Sequence, residues 1–170
     1  MKNGKKECSC GSGCCVEESK KILKIDFLYL DLDVCERCQG TDRNLDQAIQ
    51  DVSTILKLAG YDIAVNKINI DSKEMAIKYK FLSSPTIRIN GRDIDLDVKE
   101  SLCKSCGDLC GDQVECRVWV YNGIEYEEPP KEMLVNAILR EIYGNGSHPQ
   151  QPKEEYVLPE NLKVFFDGIK

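Results

Sequence analysis

The chain has 170 residues, of which 31% are charged, and a formal net charge of −6. That length accommodates one domain with a proper core plus tails or insertions. An acidic chain with scattered lysines has no basic stripe to neutralise phosphates, so nucleic acid is excluded as an expected partner.

No apolar run approaches membrane-spanning length, so no membrane partner is expected. The start, Met1-Lys2-Asn3-Gly4-Lys5-Lys6, is basic but leads into cysteines and glycines without an apolar stretch, which predicts a cytoplasmic protein. Ten cysteines then need a chemical reason. In a reducing compartment such density points to metal binding or redox catalysis rather than to a disulfide framework.

Residues 1–20 form a tail without hydrophobic periodicity. It carries Cys8, Cys10, Cys14 and Cys15 among glycine and serine. Four thiolates on a flexible segment can wrap a soft metal or trivalent arsenic, with affinity reduced by ordering entropy. The alternative is a solvated tail whose cysteines have no selected role.

Residues 22–32 are apolar on both faces, which predicts a central strand covered on both sides. Cys35-Glu36-Arg37-Cys38 follows it. Next, Leu45, Ala48, Ile49, Val52, Ile55, Leu56 and Ala59 recur at helical spacing, with Thr41 or Asp42 as the cap and Gly60 just past the end. Residues 61–70 read as a second strand, parallel to the first through a right-handed crossover. Asp71-Ser72 caps a short helix through Tyr79.

Thr86-Ile87-Arg88-Ile89 is a strand, and Asn90-Gly91 is a hairpin turn signal. Residues 93–98 continue the hairpin or bend away. Residues 99–116 form a cysteine-rich insertion. Residues 117–121 and 124–127 flank a second turn, Asn122-Gly123, with Trp119 and Tyr121 expected to pack. Pro129-Pro130 opens a last helix bearing Met133, Leu134, Ala137, Ile138 and Ile142. Residues 145–170 comprise a polar linker, with the single histidine His148 as a solvated loop residue, and a docked tail carrying Leu162, Phe165 and Phe166.

The predicted order is β-α-β-α-β-β-α, an α/β fold with a mixed central sheet flanked by helices. C-x-x-C in a βα turn, followed by Ser84-Pro85-Thr86 at a strand entry, is the arrangement thiol–disulfide exchange proteins use. A zinc half-site or a pair of inert thiols is the alternative. The insertion adds Cys103, Cys106, Cys110 and Cys116, four soft ligands within fourteen residues and able to close a tetrahedral site. Zinc, an iron–sulfur cluster, arsenite held by three thiolates, local disulfides, or a relay with Cys35 and Cys38 all fit that spacing. Cys116, at a strand start, also suits a small core residue.

Element order, the C-x-x-C and the proline together resemble the thioredoxin fold. More narrowly, Cys35-Glu36-Arg37-Cys38, the Ser84 to Gly91 run, Cys116-Arg117-Val118-Trp119 and the Pro129-Pro130 helix entry resemble a prokaryotic family of thioredoxin-like proteins, DUF2703, over roughly residues 22–144. The resemblance implies that Cys35 is the attacking thiol and Cys38 the resolving one. It also implies that a cis Pro85 presents the Ser84 backbone, with Thr86 beside it, to a substrate strand. Expected partners are protein or small-molecule disulfides, or a thioredoxin-reductase-type donor. Exchange needs no cofactor. In the runner-up function the fold is a non-catalytic scaffold that binds zinc, another soft metal or arsenite, with Cys35 and Cys38 among the ligands. Asp31, Asp33 and Glu36 are expected to raise the Cys35 pKa, with Arg37 opposing them.

Overall fold

The computed structural model describes residues 20–111, 113–144 and 155–169. Its elements in chain order are β1 (Lys21–Tyr29), α1 (Glu36–Leu58), β2 (Tyr61–Asn69), α2 (Lys73–Lys78), β3 (Thr86–Ile89) and β4 (Arg92–Asp93). They continue with β5 (Lys99–Leu102), α3 (Lys104–Cys110), β6 (Glu115–Tyr121), β7 (Ile124–Tyr126), α4 (Lys131–Tyr143) and α5 (Glu160–Gly168).

Two sheets form among the described residues, ordered β2-β1-β3-β4 and β5-β6-β7. β1 runs parallel to β2, with Lys21 beside Tyr61 and Tyr29 beside Asn69, and antiparallel to β3, with Ile25 beside Ile89. The architecture is therefore mixed α/β, with helices on the sheet faces.

The two faces of β1 explain both cores. Leu23, Ile25 and Phe27 point to one side, where Leu45, Ala48, Val52 and Leu56 of α1 meet Leu134 and Ile138 of α4 and Trp119 of β6. Leu28 and Leu30 face a second cluster with Phe81, Leu162, Phe165, Phe166 and six cysteines. A strand apolar on both faces is the expected signature of such double coverage. Ile55, placed by its spacing on the α1 stripe, is instead 61% exposed, because the buried face is narrower than the apolar pattern.

Turn residues fall where expected. Gly60, Asn90, Gly91, Asn122 and Gly123 all take positive φ, and the two Asn-Gly pairs close the β3–β4 and β6–β7 hairpins. Ser72 caps α2 by accepting the Met75 N–H.

Two expectations change. Helix α1 starts at Glu36 rather than beyond Thr41, with Cys35 as its N-cap. The insertion, given no elements in the predicted order, also carries its own: β5 and β6 pair antiparallel, and α3 sits between them. The chain bends away after β4, because Arg117 of β6 reaches back to it. Its guanidinium grips both Asp93 oxygens at 2.9 and 3.0 Å, donates to the Thr86 hydroxyl and the Asp95 carbonyl, and lies over the Trp119 ring. The two sheets are joined through this buried ion pair.

A four-cysteine cluster where two motifs meet

The segment before Cys35 is held by its own polar groups. The Leu30 N–H donates to the Ser84 hydroxyl at 3.1 Å. The Asp31 carboxylate accepts the Asp33 and Val34 N–H groups at 2.8 and 2.6 Å, an Asx turn. Gln39 returns from the first turn of α1 to the Leu32 and Asp33 carbonyls. Cys35 is thereby set at the helix N-terminus, where its sulfur accepts the Cys38 N–H at 3.4 Å. The positive end of a 23-residue helix favours a thiolate there.

Across from it, Cys103 occupies the N-cap position of α3, Cys106 lies in its first turn, and Cys116 stands on β6. The four sulfurs of Cys35, Cys103, Cys106 and Cys116 all lie within 4.8 Å of one another, and all four residues are buried. The Cys106 and Cys116 sulfurs lie 3.4 Å apart. No disulfide forms among the described residues. Four close, buried cysteine sulfurs can hold a metal ion.

The quartet mixes the two motifs of the sequence. From the first C-x-x-C it takes Cys35 only. Cys38 stands outside it, with its sulfur 3.3 Å from the Ser84 hydroxyl. From the insertion it takes three cysteines and leaves Cys110, whose sulfur lies 3.9 Å from the Gly107 carbonyl. Cys110 is one helical turn beyond Cys106, and a four-residue step along α3 advances about 6 Å. That step carries Cys110 toward α5 and away from the other sulfurs.

Ser84, Pro85 and Thr86 pack against the same region. The Ser84–Pro85 bond is cis, the isomer expected from sequence. The Ser84 hydroxyl is shared by Leu30 and Cys38, and the Ser84 carbonyl accepts the Arg117 N–H at 2.7 Å. Thr86 donates its hydroxyl to the Ser83 carbonyl. The Ser84 carbonyl is thus bonded to β6 of the chain itself. Cys8, Cys10, Cys14, Cys15 and His148 lie outside the described residues.

The electrostatics follow from crowding. Hydrogen bonds from Cys103, Cys106, Cys116 and Cys38 hold the Cys35 thiol far below its ordinary value, against the rise expected from its acidic neighbours. The Asp31 carboxylate is engaged by the Asp33 and Val34 N–H groups, and the neighbouring thiols dominate at Cys35. Hydrogen bonds from Cys106 and Cys116 lower Cys103 to about 7. Cys106 and Cys116 are pushed up because they donate to these thiolates. Cys38 is raised by its contact with Cys35 and by burial. Four buried thiols this close cannot all ionise by themselves; a cation is what allows it.

Sequence reasoning missed Arg37. It is buried, and its guanidinium donates to the Ser101 carbonyl and hydroxyl at 3.3 and 2.9 Å, the Cys116 carbonyl at 3.3 Å and the Leu102 carbonyl at 3.0 Å. It also pairs with Glu127 at 2.6 Å. Its place inside the C-x-x-C was the available signal.

Fold and site together define a mixed α/β protein whose cysteine-rich insertion closes over a C-x-x-C helix start. The chain belongs to the family described as "Domain of unknown function (DUF2703)", whose profile matches residues 23–138. A curated relative from Archaeoglobus fulgidus, named "Uncharacterized protein", is 29% identical over 98 residues, covering 56% of this chain and 69% of that protein. No solved structure matches the chain. No helix among the described residues is long and apolar enough to cross a membrane.

Proposed function

We propose that the protein binds a single thiophilic metal ion through Cys35, Cys103, Cys106 and Cys116, with zinc(II) as the best fit. The observation that carries this reading is the mutual approach of four buried sulfurs within 4.8 Å. A regular tetrahedron with Zn–S bonds of 2.3 Å has S···S edges of about 3.8 Å. An iron–sulfur cluster spreads its thiolates over several irons and needs them further apart. Trivalent arsenic uses three thiolates and would leave the fourth idle. Four protein ligands and no open position describe a closed site, which holds an ion rather than activating water.

The test is the metal content of anaerobically purified full-length protein against a Cys103→Ser/Cys106→Ser variant, by native mass and elemental analysis. The variant is expected to carry one ion fewer per chain. Equal metal content in the two would overturn the reading. Comparing the pair isolates this site from whatever the N-terminal cysteines hold.

We also read the frame as thioredoxin-like. The order β2-β1-β3-β4, with β1 parallel to β2 and antiparallel to β3, supports it, as does the cis proline beside the C-x-x-C. That frame supports a second function, thiol–disulfide exchange through Cys35 and Cys38 on protein or small-molecule disulfides. Cys35 at the N-cap with Cys38 beside it favours this chemistry. Burial opposes it, since Cys35 is 1% and Cys38 0% exposed, so the insertion and any bound ion would have to leave first. Disulfide reductase turnover by metal-stripped protein that disappears in Cys38→Ser, with the metal content before stripping unchanged, would support exchange as an activity of the metal-free form. Turnover equal in wild type and variant would remove it.

A further inference from the structure

The four ligands do not have equal support. Cys103, Cys106 and Cys116 belong to one local unit: β5 pairs with β6, the Cys103 N–H donates to the Val114 carbonyl at 2.8 Å, and α3 spans the gap. Cys35 comes from another part of the chain, 68 positions before Cys103. A separate connection is needed to hold it against the other three.

Arg37, two residues after Cys35, makes that connection. One guanidinium nitrogen donates to the Cys116 carbonyl and to the carbonyl and hydroxyl oxygens of Ser101. The other donates to the Leu102 carbonyl, in the peptide that leads into Cys103, and to Glu127. The fork thus grips the backbone beside two of the three insertion ligands and binds both strands of the hairpin to the first turn of α1. Only a planar guanidinium presents enough fixed donors for this; an ammonium has three on a compact head. The buried cation also lies beside a site where four thiolates around a divalent ion leave excess negative charge.

We infer that Arg37 is a positioning and specificity-determining residue for the metal site: it delivers Cys35 as the fourth ligand, and so selects four-coordinate divalent ions over three-coordinate trivalent metalloids. The inference rests on the metal reading above. Without the fork, the insertion still offers three thiolates, enough for arsenite but not for closed tetrahedral zinc.

The test uses full-length protein with Arg37→Met and Arg37→Lys, titrated separately with zinc, cobalt(II) and arsenite. To separate this site from the N-terminal cysteines, each titration is read as a difference from a Cys103→Ser/Cys106→Ser background. Arg37→Met is expected to weaken zinc by about 10- to 100-fold, the usual effect of losing a group that orients a ligand, while arsenite stays within about threefold. Its cobalt spectrum should match that of Cys35→Ser, with three sulfur ligands. Adding Arg37→Met to Cys35→Ser should cost little more, because the two act on one ligand. Arg37→Lys should show the same pattern more weakly, and it carries the comparison if the methionine variant does not fold by circular dichroism.

Zinc and arsenite falling together would show general support of the insertion and overturn the inference. So would unchanged zinc affinity with a four-sulfur cobalt spectrum. Failure of the wild type to bind zinc at this site would instead remove the metal reading itself, a distinct result.

Discussion

Replacing Cys35 by serine, compared with replacing Cys110 by serine, separates the quartet assembled in space from the one suggested by spacing. Structural zinc sites bind with about 10–16 kcal/mol of apparent free energy at neutral pH. Four buried ligands of one chemical type share that energy, so each accounts for roughly 3 kcal/mol, or about a 100-fold change in affinity. Cys110 lies one turn away against the Gly107 carbonyl, and Cys110→Ser should change zinc affinity by less than about threefold. The assay is competition with a chromophoric chelator, supported by the cobalt(II) charge-transfer bands, which weaken when a sulfur ligand is lost. Serine is among the best N-cap residues, so Cys35→Ser leaves the start of α1 intact and a lost ion cannot be attributed to helix fraying. If Cys110→Ser weakens binding as much as Cys35→Ser, the geometric assignment is wrong.

Three further outcomes are expected. Cys106 and Cys116 are pushed up and keep their protons at neutral pH, while Cys103 sits at about 7. Zinc binding at pH 7 should therefore release roughly two to three protons in a weakly buffered titration, and affinity should fall as pH falls; release of no proton contradicts the ligand set. Asp93→Ala strands the fully buried Arg117 and should lower unfolding stability by about 3 kcal/mol in urea, whereas a loss under about 1 kcal/mol would show that Thr86 and Asp95 suffice. Gly168→Ala places a methyl 2.3 Å from the Cys110 carbonyl oxygen and 2.7 Å from its Cβ. It should push α5 off α3 and cost about 1–3 kcal/mol, read as a lower Tm.

Much of the frame was legible because each strand and helix carries its own pattern. β1 is apolar on both faces, α1 repeats Leu45, Ala48, Val52 and Leu56, and the two Asn-Gly pairs announce their hairpins. The start of α1 was misread because Gly40-Thr41-Asp42 resembles a cap. Non-local contacts decide it instead: Arg37 is anchored on β5 and β6, Cys38 is buried against Ser84, and Glu128 packs so closely on Gly40 that a β-carbon there would meet its carboxyl carbon at 1.8 Å. β5, Lys-Glu-Ser-Leu, has no alternation of its own and is organised by β6 and Arg37. The candidate site was half legible. Its insertion ligands Cys103, Cys106 and Cys116 were visible from spacing, but sequence proximity favoured Cys110, and no local signal brings Cys35 to them.

The span of the cluster has a consequence for how the chain is held together. Its cysteines come from the N-cap of α1 and from the insertion, and Cys103 lies 68 positions after Cys35. An ion gripped by all four sulfurs is therefore a cross-link, closing a loop much as a disulfide does, and in the chain-entropy account a loop of that length is worth about 4 kcal/mol. Unlike a disulfide it needs no oxidant to form and can be withdrawn by a competing chelator. The same loop contains α1, α2 and every strand of the central sheet except β1. On the metal reading proposed above, such an ion would be a reversible staple across the central sheet, and its supply would set how tightly the insertion is held to that sheet.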